Sequence, residues 1–106
     1  MTNQSQLEII EKALNARKQE GQKQIGWKLG FGSPAALKSL NTSKPLIGGL
    51  FDVGELISGT TTDVREMSKP SLEAEIAAYI GSDIPKNATE NQIIDSIGRL
   101  VPAREL

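Results

Sequence analysis

The sequence predicts an α+β fold: an N-terminal amphipathic helix, then a mixed, strongly bent sheet carrying two short helices. Three observations predict it. Leu7, Ile10, Ala13 and Leu14 recur at helical spacing. The runs Ile25–Phe31 and Leu72–Ile80 alternate side chains in the manner of strands. Ser33-Pro34 and Thr89-Glu90-Asn91-Gln92 carry helix-start signals.

The elements follow in order. Ser5-Gln6-Leu7-Glu8 reads as a capping box, so the first helix is predicted over residues 5–18, with Glu8, Glu11, Lys12 and Arg17 outward. Gln19-Glu20-Gly21-Gln22 ends it. A strand around Lys28 comes next. Gly30 to Pro34 is a glycine-rich turn into a short helix, capped by Ser33 with Pro34 at the first helical position. Residues 41–46 form a loop, and 46–53 a glycine-interrupted, bent strand. Glu55-Leu56-Ile57 suggests a further short strand, and residues 60–68 an exposed connection. The Glu73 strand is followed by a capped helix from Thr89, with Gly98 as its C-terminal cap. Residues 101–106 form the last strand. The predicted order is α-β-α-β-β-β-α-β in a single domain, residues 1–106, whose sheet-forming part is 25–106.

Composition narrows the chemistry. The chain has 106 residues, 38% hydrophobic and 24% charged, which is a globular mixture rather than a disordered one. Twelve Lys and Arg against thirteen Asp and Glu, with no dense basic run, argue against nucleic-acid binding driven by phosphate neutralisation. With no cysteine there is no disulfide, thiolate nucleophile or zinc–thiolate site. With no histidine there is no imidazole ligand and no Ser–His pair. Acid–base work is left to Lys, Glu, Asp, Tyr or water. Residues 1–5 are polar and no long apolar run occurs, so the expected compartment is the cytoplasm and no membrane partner is expected.

Two strand faces carry unusual residues. Glu73, Glu75, Ala77 and Tyr79 share one face, while Ala74, Ile76, Ala78 and Ile80 form a small apolar face fit for a core. Like charges two residues apart on one face repel, and a hard divalent cation between them relieves this. The other reading is a solvated edge whose acids deter edge-to-edge pairing. In Ile25-Gly26-Trp27-Lys28-Leu29-Gly30-Phe31, the odd-numbered residues form an apolar face, and Lys28 stands alone between Gly26 and Gly30 on the other. Bare backbone on both sides leaves room for a small molecule beside the ammonium. A surface lysine on an edge strand reads equally well. The Gly30–Pro34 turn reads as ordinary turn chemistry or as a seat for a substrate carboxylate near Gly30 and Ser33.

The ordered set Gly26-Trp27-Lys28-Leu29-Gly30, Ser33-Pro34, Leu50-Phe51-Asp52, Pro70–Ala77 and Val101-Pro102-Ala103-Arg104-Glu105-Leu106 resembles the start of a 2-keto-4-pentenoate hydratase. That family includes 4-oxalocrotonate decarboxylases and lies within the fumarylacetoacetate hydrolase superfamily. The resemblance implies an Mg²⁺ or Mn²⁺ ion held by Glu73, Glu75 and Glu105. Lys28 is then the catalytic proton carrier, and Gly30 and Ser33 contact a small 2-oxo or 2-hydroxydienoic acid. It also implies a homo-oligomer and a family fold of which this chain is a truncated part, since members run to more than twice this length. Members commonly carry an aspartate in a Pro-Asp-aromatic-Gly stretch, where this chain has Pro45-Leu46-Ile47-Gly48. Three readings follow: a hydratase, a decarboxylase or C–C bond hydrolase of the same superfamily, and a non-catalytic binding or oligomerising module.

Overall fold

The computed structural model describes residues 3–30, 32–41 and 43–106, with side chains from Leu7 onward. It is α+β. The elements are α1 (Asn3–Gln19), β1 (Gln24–Gly30), α2 (Pro34–Ser39), β2 (Leu46–Phe51), a 3₁₀ turn (Asp52–Gly54), β3 (Glu73–Ile80), α3 (Glu90–Ser96) and β4 (Ile97–Glu105). They fall into two compact units, Met1–Thr61 and Thr62–Leu106.

In the first unit β1 and β2 pair antiparallel, with Lys28 opposite Gly48 and Gly30 opposite Leu46. The ladder slips between Gln24 and Gly26, which bends it at that end. α1 begins two residues ahead of Ser5, which therefore lies within its first turn rather than at its cap. The helix stops at Gly21, whose φ of 88° is left-handed; its N–H donates to the Lys18 carbonyl, and Gln22 N–H to that of Arg17. The unit's core is small. Leu14 of α1 and Phe51 of β2 are its buried apolar side chains, 8% and 4% exposed. Leu14 reaches the ladder because Gly49 has no side chain: a Cβ there would collide with Leu14 Cδ2 and lie 3.1 Å from Phe51 Cε2. Arg17 stacks its guanidinium 4.5 Å from the centre of the Phe51 ring.

Helix α2 starts as its sequence dictates. The Ser33 hydroxyl oxygen accepts from Ala36 N–H at 3.2 Å, with Pro34 next in line. The strand expected at residues 55–57 is absent. Asp52 instead receives Lys23 N–H at 2.9 Å and Val53 N–H at 3.0 Å on one carboxylate oxygen, turning the chain into the 3₁₀ turn. Beyond it, Gly59 at φ 87° and the Thr60 hydroxyl donating to the Ile57 carbonyl make a turn in place of a ladder.

In the second unit β3 and β4 pair antiparallel, linked through α3. Thr89 caps α3 with a complete capping box: its hydroxyl accepts from Gln92 N–H, and the Gln92 side chain accepts from Thr89 N–H at 2.8 Å. Gly98 does not cap this helix. The cap is Ile97, already extended, so the chain passes directly from α3 into β4, four residues earlier than the sequence predicts. Gly98 instead lies against Gly81, where a Cβ would come within 3.3 Å of the Gly81 Cα.

The single mixed sheet expected from the sequence is therefore two separate antiparallel ladders among the described residues. Each strand finds its partner locally, across one short helix. A two-stranded ladder buries little by itself. The faces expected to be apolar cores are accordingly open: Ile76 is 77% exposed, Trp27 59% and Ile80 56%. Phe31, expected on the Trp27 face, lies outside the described residues. No helix among the described residues is long and apolar enough to cross a membrane.

Candidate metal centre

The β3–β4 register builds the site. Glu73 pairs with Glu105, Glu75 with Ala103, Ala77 with Val101 and Tyr79 with Arg99. Alternation puts all eight residues on one face. That face is acidic at one end, small and apolar in the middle, and carries Arg99 over Tyr79 at the other. Pro102 stands opposite Ile76. A proline within a ladder fits where its missing N–H is not needed, on the outer edge of a strand.

Carboxylate oxygens of Glu73, Glu75 and Glu105 lie within 4.8 Å of one another. Glu73 and Glu75 are exposed, and Glu105 is half-buried. Like charges directly across a ladder destabilise it. A Mg²⁺ ion holds its oxygens at about 2.1 Å in an octahedron, so neighbouring ligand oxygens stand roughly 3 Å apart. Three hard carboxylate donors with no sulfur or nitrogen partner suit Mg²⁺ or Mn²⁺. The residues present therefore fit such an ion.

Lys28 lies in the first unit, with glycines beside it along and across the ladder. Gly26 and Gly30 flank it along β1, and its stem lies across Gly48 of β2: a Cβ on Gly48 would be 3.4 Å from both Cγ and Cε of the lysine. Gly30 is opposite Leu46, the residue standing where the resemblance expects an aspartate. The Ser33 oxygen is engaged as the α2 cap, which leaves its hydroxyl hydrogen for another acceptor. The three glutamates share one unit; Lys28, Gly30 and Ser33 belong to the other.

Arg99 escaped the sequence reading, which placed Tyr79 on the Glu73 face without a partner. The guanidinium carbon sits 4.2 Å from the centre of the Tyr79 ring. The signal for Arg99 was parity. Residues 99, 101, 103 and 105 share a face once the strand begins at Ile97, and a strand drawn from Val101 leaves Arg99 out.

No protein-family model matches the chain. Individual proteins do. A 2-keto-4-pentenoate hydratase from Paraburkholderia xenovorans (strain LB400) is 28% identical over 87 residues, covering 81% of this chain and 32% of that protein. One from Paraburkholderia phymatum is 32% identical over 82 residues, covering 77% and 30%. A 4-oxalocrotonate decarboxylase from a Pseudomonas species is 26% identical over 99 residues, covering 93% and 39%. The chain thus spans about a third of the length of these relatives. By sequence, the chain is similar to part of the 2-keto-4-pentenoate hydratases and of a 4-oxalocrotonate decarboxylase.

Proposed function

We propose that Glu73, Glu75 and Glu105 hold a divalent cation, Mg²⁺ or Mn²⁺. In this reading the chain contributes that centre to an enzyme of the fumarylacetoacetate hydrolase superfamily. The reaction proposed is addition of water to a 2-hydroxy-2,4-dienoate of the 2-keto-4-pentenoate type, giving a 4-hydroxy-2-oxo acid. The observation that supports it most is the meeting of three carboxylates from two strands on one face, in a chain similar to hydratases.

When bound, the cation supplies Lewis-acid stabilisation of negative charge on the substrate 2-oxygen. The three glutamates fix its position from a ladder whose register allows little freedom. Beside them on the same face stand the small residues Ala77, Ala103 and Val101, which are half-buried. Lys28 is the proton carrier of this scheme. Its support is the resemblance and its setting on β1 between Gly26 and Gly30, across from Gly48.

Leu46 favours a second reading. A leucine cannot accept or deliver a proton, so a reaction requiring an acid at that position is lost. A 2-oxo acid decarboxylase, or a C–C hydrolase of acylpyruvate or fumarylacetoacetate type, fits that residue better. The similarity to a 4-oxalocrotonate decarboxylase runs over most of the chain.

One experiment separates these readings. A 2-hydroxypentadienoate, an oxalocrotonate and an acylpyruvate are each offered to the protein with Mg²⁺ or Mn²⁺, beside its Glu73→Gln variant. Metal-dependent turnover of the first supports hydration, and turnover of the second or third supports the alternatives. Absence of saturable metal binding removes the basis for all three.

A further inference from the structure

We infer that the outer edge of β3 is an interaction surface for a second copy of this chain, whose own β3 joins it antiparallel about a two-fold axis at Ala77. Among the described strands β3 alone has neither glycine nor proline. Among the described residues it pairs with β4 only. Pro102 fixes which groups the outer edge presents. A proline has no N–H to give a ladder, so Pro102 and Ile76 form a pair whose backbone groups point away from each other. Alternation then turns the N–H and C=O of Ala74, Ile76 and Ala78 outward from β4. All three residues are exposed, Ile76 at 77%. The outer edge of β4 lacks a donor at Pro102, and glycines weaken β1 and β2.

Charge selects the direction and the register. Glu73 and Glu75 repel a copy that sets its acids beside them, as charged edges commonly do. The ladder is acidic at one end and carries Arg99 at the other, so an antiparallel copy brings unlike ends together. Centred on Ala77, the pairing sets Glu75 opposite the partner's Tyr79, and Tyr79 opposite the partner's Glu75. The Arg99 guanidinium already lies over Tyr79, 4.2 Å from the ring centre. Its N–H donors lie in its plane and point outward along its edges, where a carboxylate meets them. On the other face Ile76 falls opposite the partner's Ala78, and Ile80 opposite the partner's Ala74, large against small in each row. Centring on Ile76 instead brings the two Glu75 carboxylates into neighbouring rows, which like charges oppose. Centring on Ala78 carries Glu75 past Tyr79 to Gly81.

The product is a four-stranded antiparallel sheet with both β3 strands inside. A two-stranded ladder is marginal by itself, and three or more strands with an apolar face are not. Ile76, Ile80 and Leu100, exposed on the single ladder, join one apolar face that runs across the axis. Neither the edge nor the register depends on the cation reading.

The test uses the whole chain in metal-free buffer. The sequence has no cysteine, so an introduced thiol reports alone. Across the axis the two copies of Ala77 form a non-hydrogen-bonded pair, with Cα atoms about 4.5 Å apart, within the span of a disulfide. The two copies of Ala103 lie three strand spacings apart, about 14 Å. Ala77→Cys should therefore oxidise to a covalent dimer roughly tenfold faster than Ala103→Cys, or more. Ala78→Pro removes an outward N–H and spares the β3–β4 ladder. Sedimentation should show a dimer for the wild type and a monomer for Ala78→Pro, with unchanged far-ultraviolet circular dichroism. Arg99→Gln should weaken the dimer roughly two- to fivefold, the usual worth of an exposed ion pair. Equal oxidation rates of the two cysteine variants, or a folded Ala78→Pro that still dimerises, overturn the inference. So does a wild-type monomer at millimolar concentration, which would leave the edge to a strand of different sequence. Where Ala78→Pro fails to fold, the ratio of the two oxidation rates decides.

Discussion

Glu73 and Glu105 stand directly opposite each other across the β3–β4 ladder, with Glu75 one step along on the same face. Without a counter-ion this arrangement opposes its own strand pairing. Replacing Glu73 with Gln should therefore stabilise the metal-free protein, by about 0.2–1 kcal/mol, the usual size of a cross-strand charge effect. The same substitution should weaken Mn²⁺ binding. Wild type should bind Mn²⁺ or Mg²⁺ saturably but weakly, since Glu73 and Glu75 are exposed and water competes for the ion. Thermal unfolding with and without metal, beside a calorimetric titration, checks both signs. A metal-free Glu73→Gln protein less stable than wild type would contradict the repulsion argument.

Gly49 is the position where α1 comes down on the first ladder. A methyl group there collides with Leu14 and crowds Phe51, the buried apolar side chains among that unit's described residues. Gly49→Ala should cost roughly 1–3 kcal/mol, the usual range for overpacking. Urea unfolding followed by helical circular dichroism reads the loss. Pairing it with Leu14→Ala, which removes the colliding atom, should give a double variant more stable than the sum of the two single effects predicts.

Asp63 and Arg65 form a local pair, with the Arg65 guanidinium nitrogen 2.6 Å from a carboxylate oxygen. Hydrogen bonds from the Arg65 side chain and then from its backbone N–H hold the Asp63 carboxyl below its ordinary value. A depressed carboxylate adds stability that is present above its unfolded value and is lost as pH falls through the folded one. An NMR titration should place Asp63 below the ordinary aspartate value. Arg65→Gln or high salt should move it back up, since both groups are exposed and screened.

The protein on its own should show little or no hydratase turnover and should self-associate. Catalysis requires the dienoate to be oriented in a closed pocket, and Glu73 and Glu75 at the acidic end of the second ladder are exposed. Each two-stranded sheet also presents unpaired edges and uncovered apolar side chains, which invite a second copy. Sedimentation should show dimers or larger species, with substrate absorbance flat in Mg²⁺. A monomer turning over a 2-hydroxydienoate at about 1–10³ s⁻¹ would contradict both expectations.

What the sequence made legible was local hydrogen-bond chemistry. Ser33 and Thr89 cap their helices as their spacing predicts, because a cap needs only residues within one turn. The alternation placing Glu73, Glu75 and Tyr79 on one face is equally local. The partner of each strand was not legible. β1, β2 and β4 are interrupted by glycine, and nothing in the four strands distinguishes one shared sheet from two ladders. Gly98 illustrates the same limit, since a glycine after a helix reads as a cap until the strand beginning at Ile97 is known. The meeting of Glu105 with Glu73 was anticipated through family resemblance; composition and periodicity do not specify it.

The glycine pair at the far end of the second ladder has a consequence for the acids. Gly81 and Gly98 touch backbone to backbone where the register slips by one residue, between Tyr79 and Ile80. Seven residues later, about 23 Å along the strand, β4 delivers Glu105. Side chains alternate, so a shift of one residue anywhere in that stretch would carry Glu105 through to the opposite face, away from Glu73. The close fit of two bare backbones therefore works as an index mark for a carboxylate far beyond its reach. A side chain added at Gly98 would disturb the acidic end without touching it, and a change in metal affinity would be its most sensitive readout.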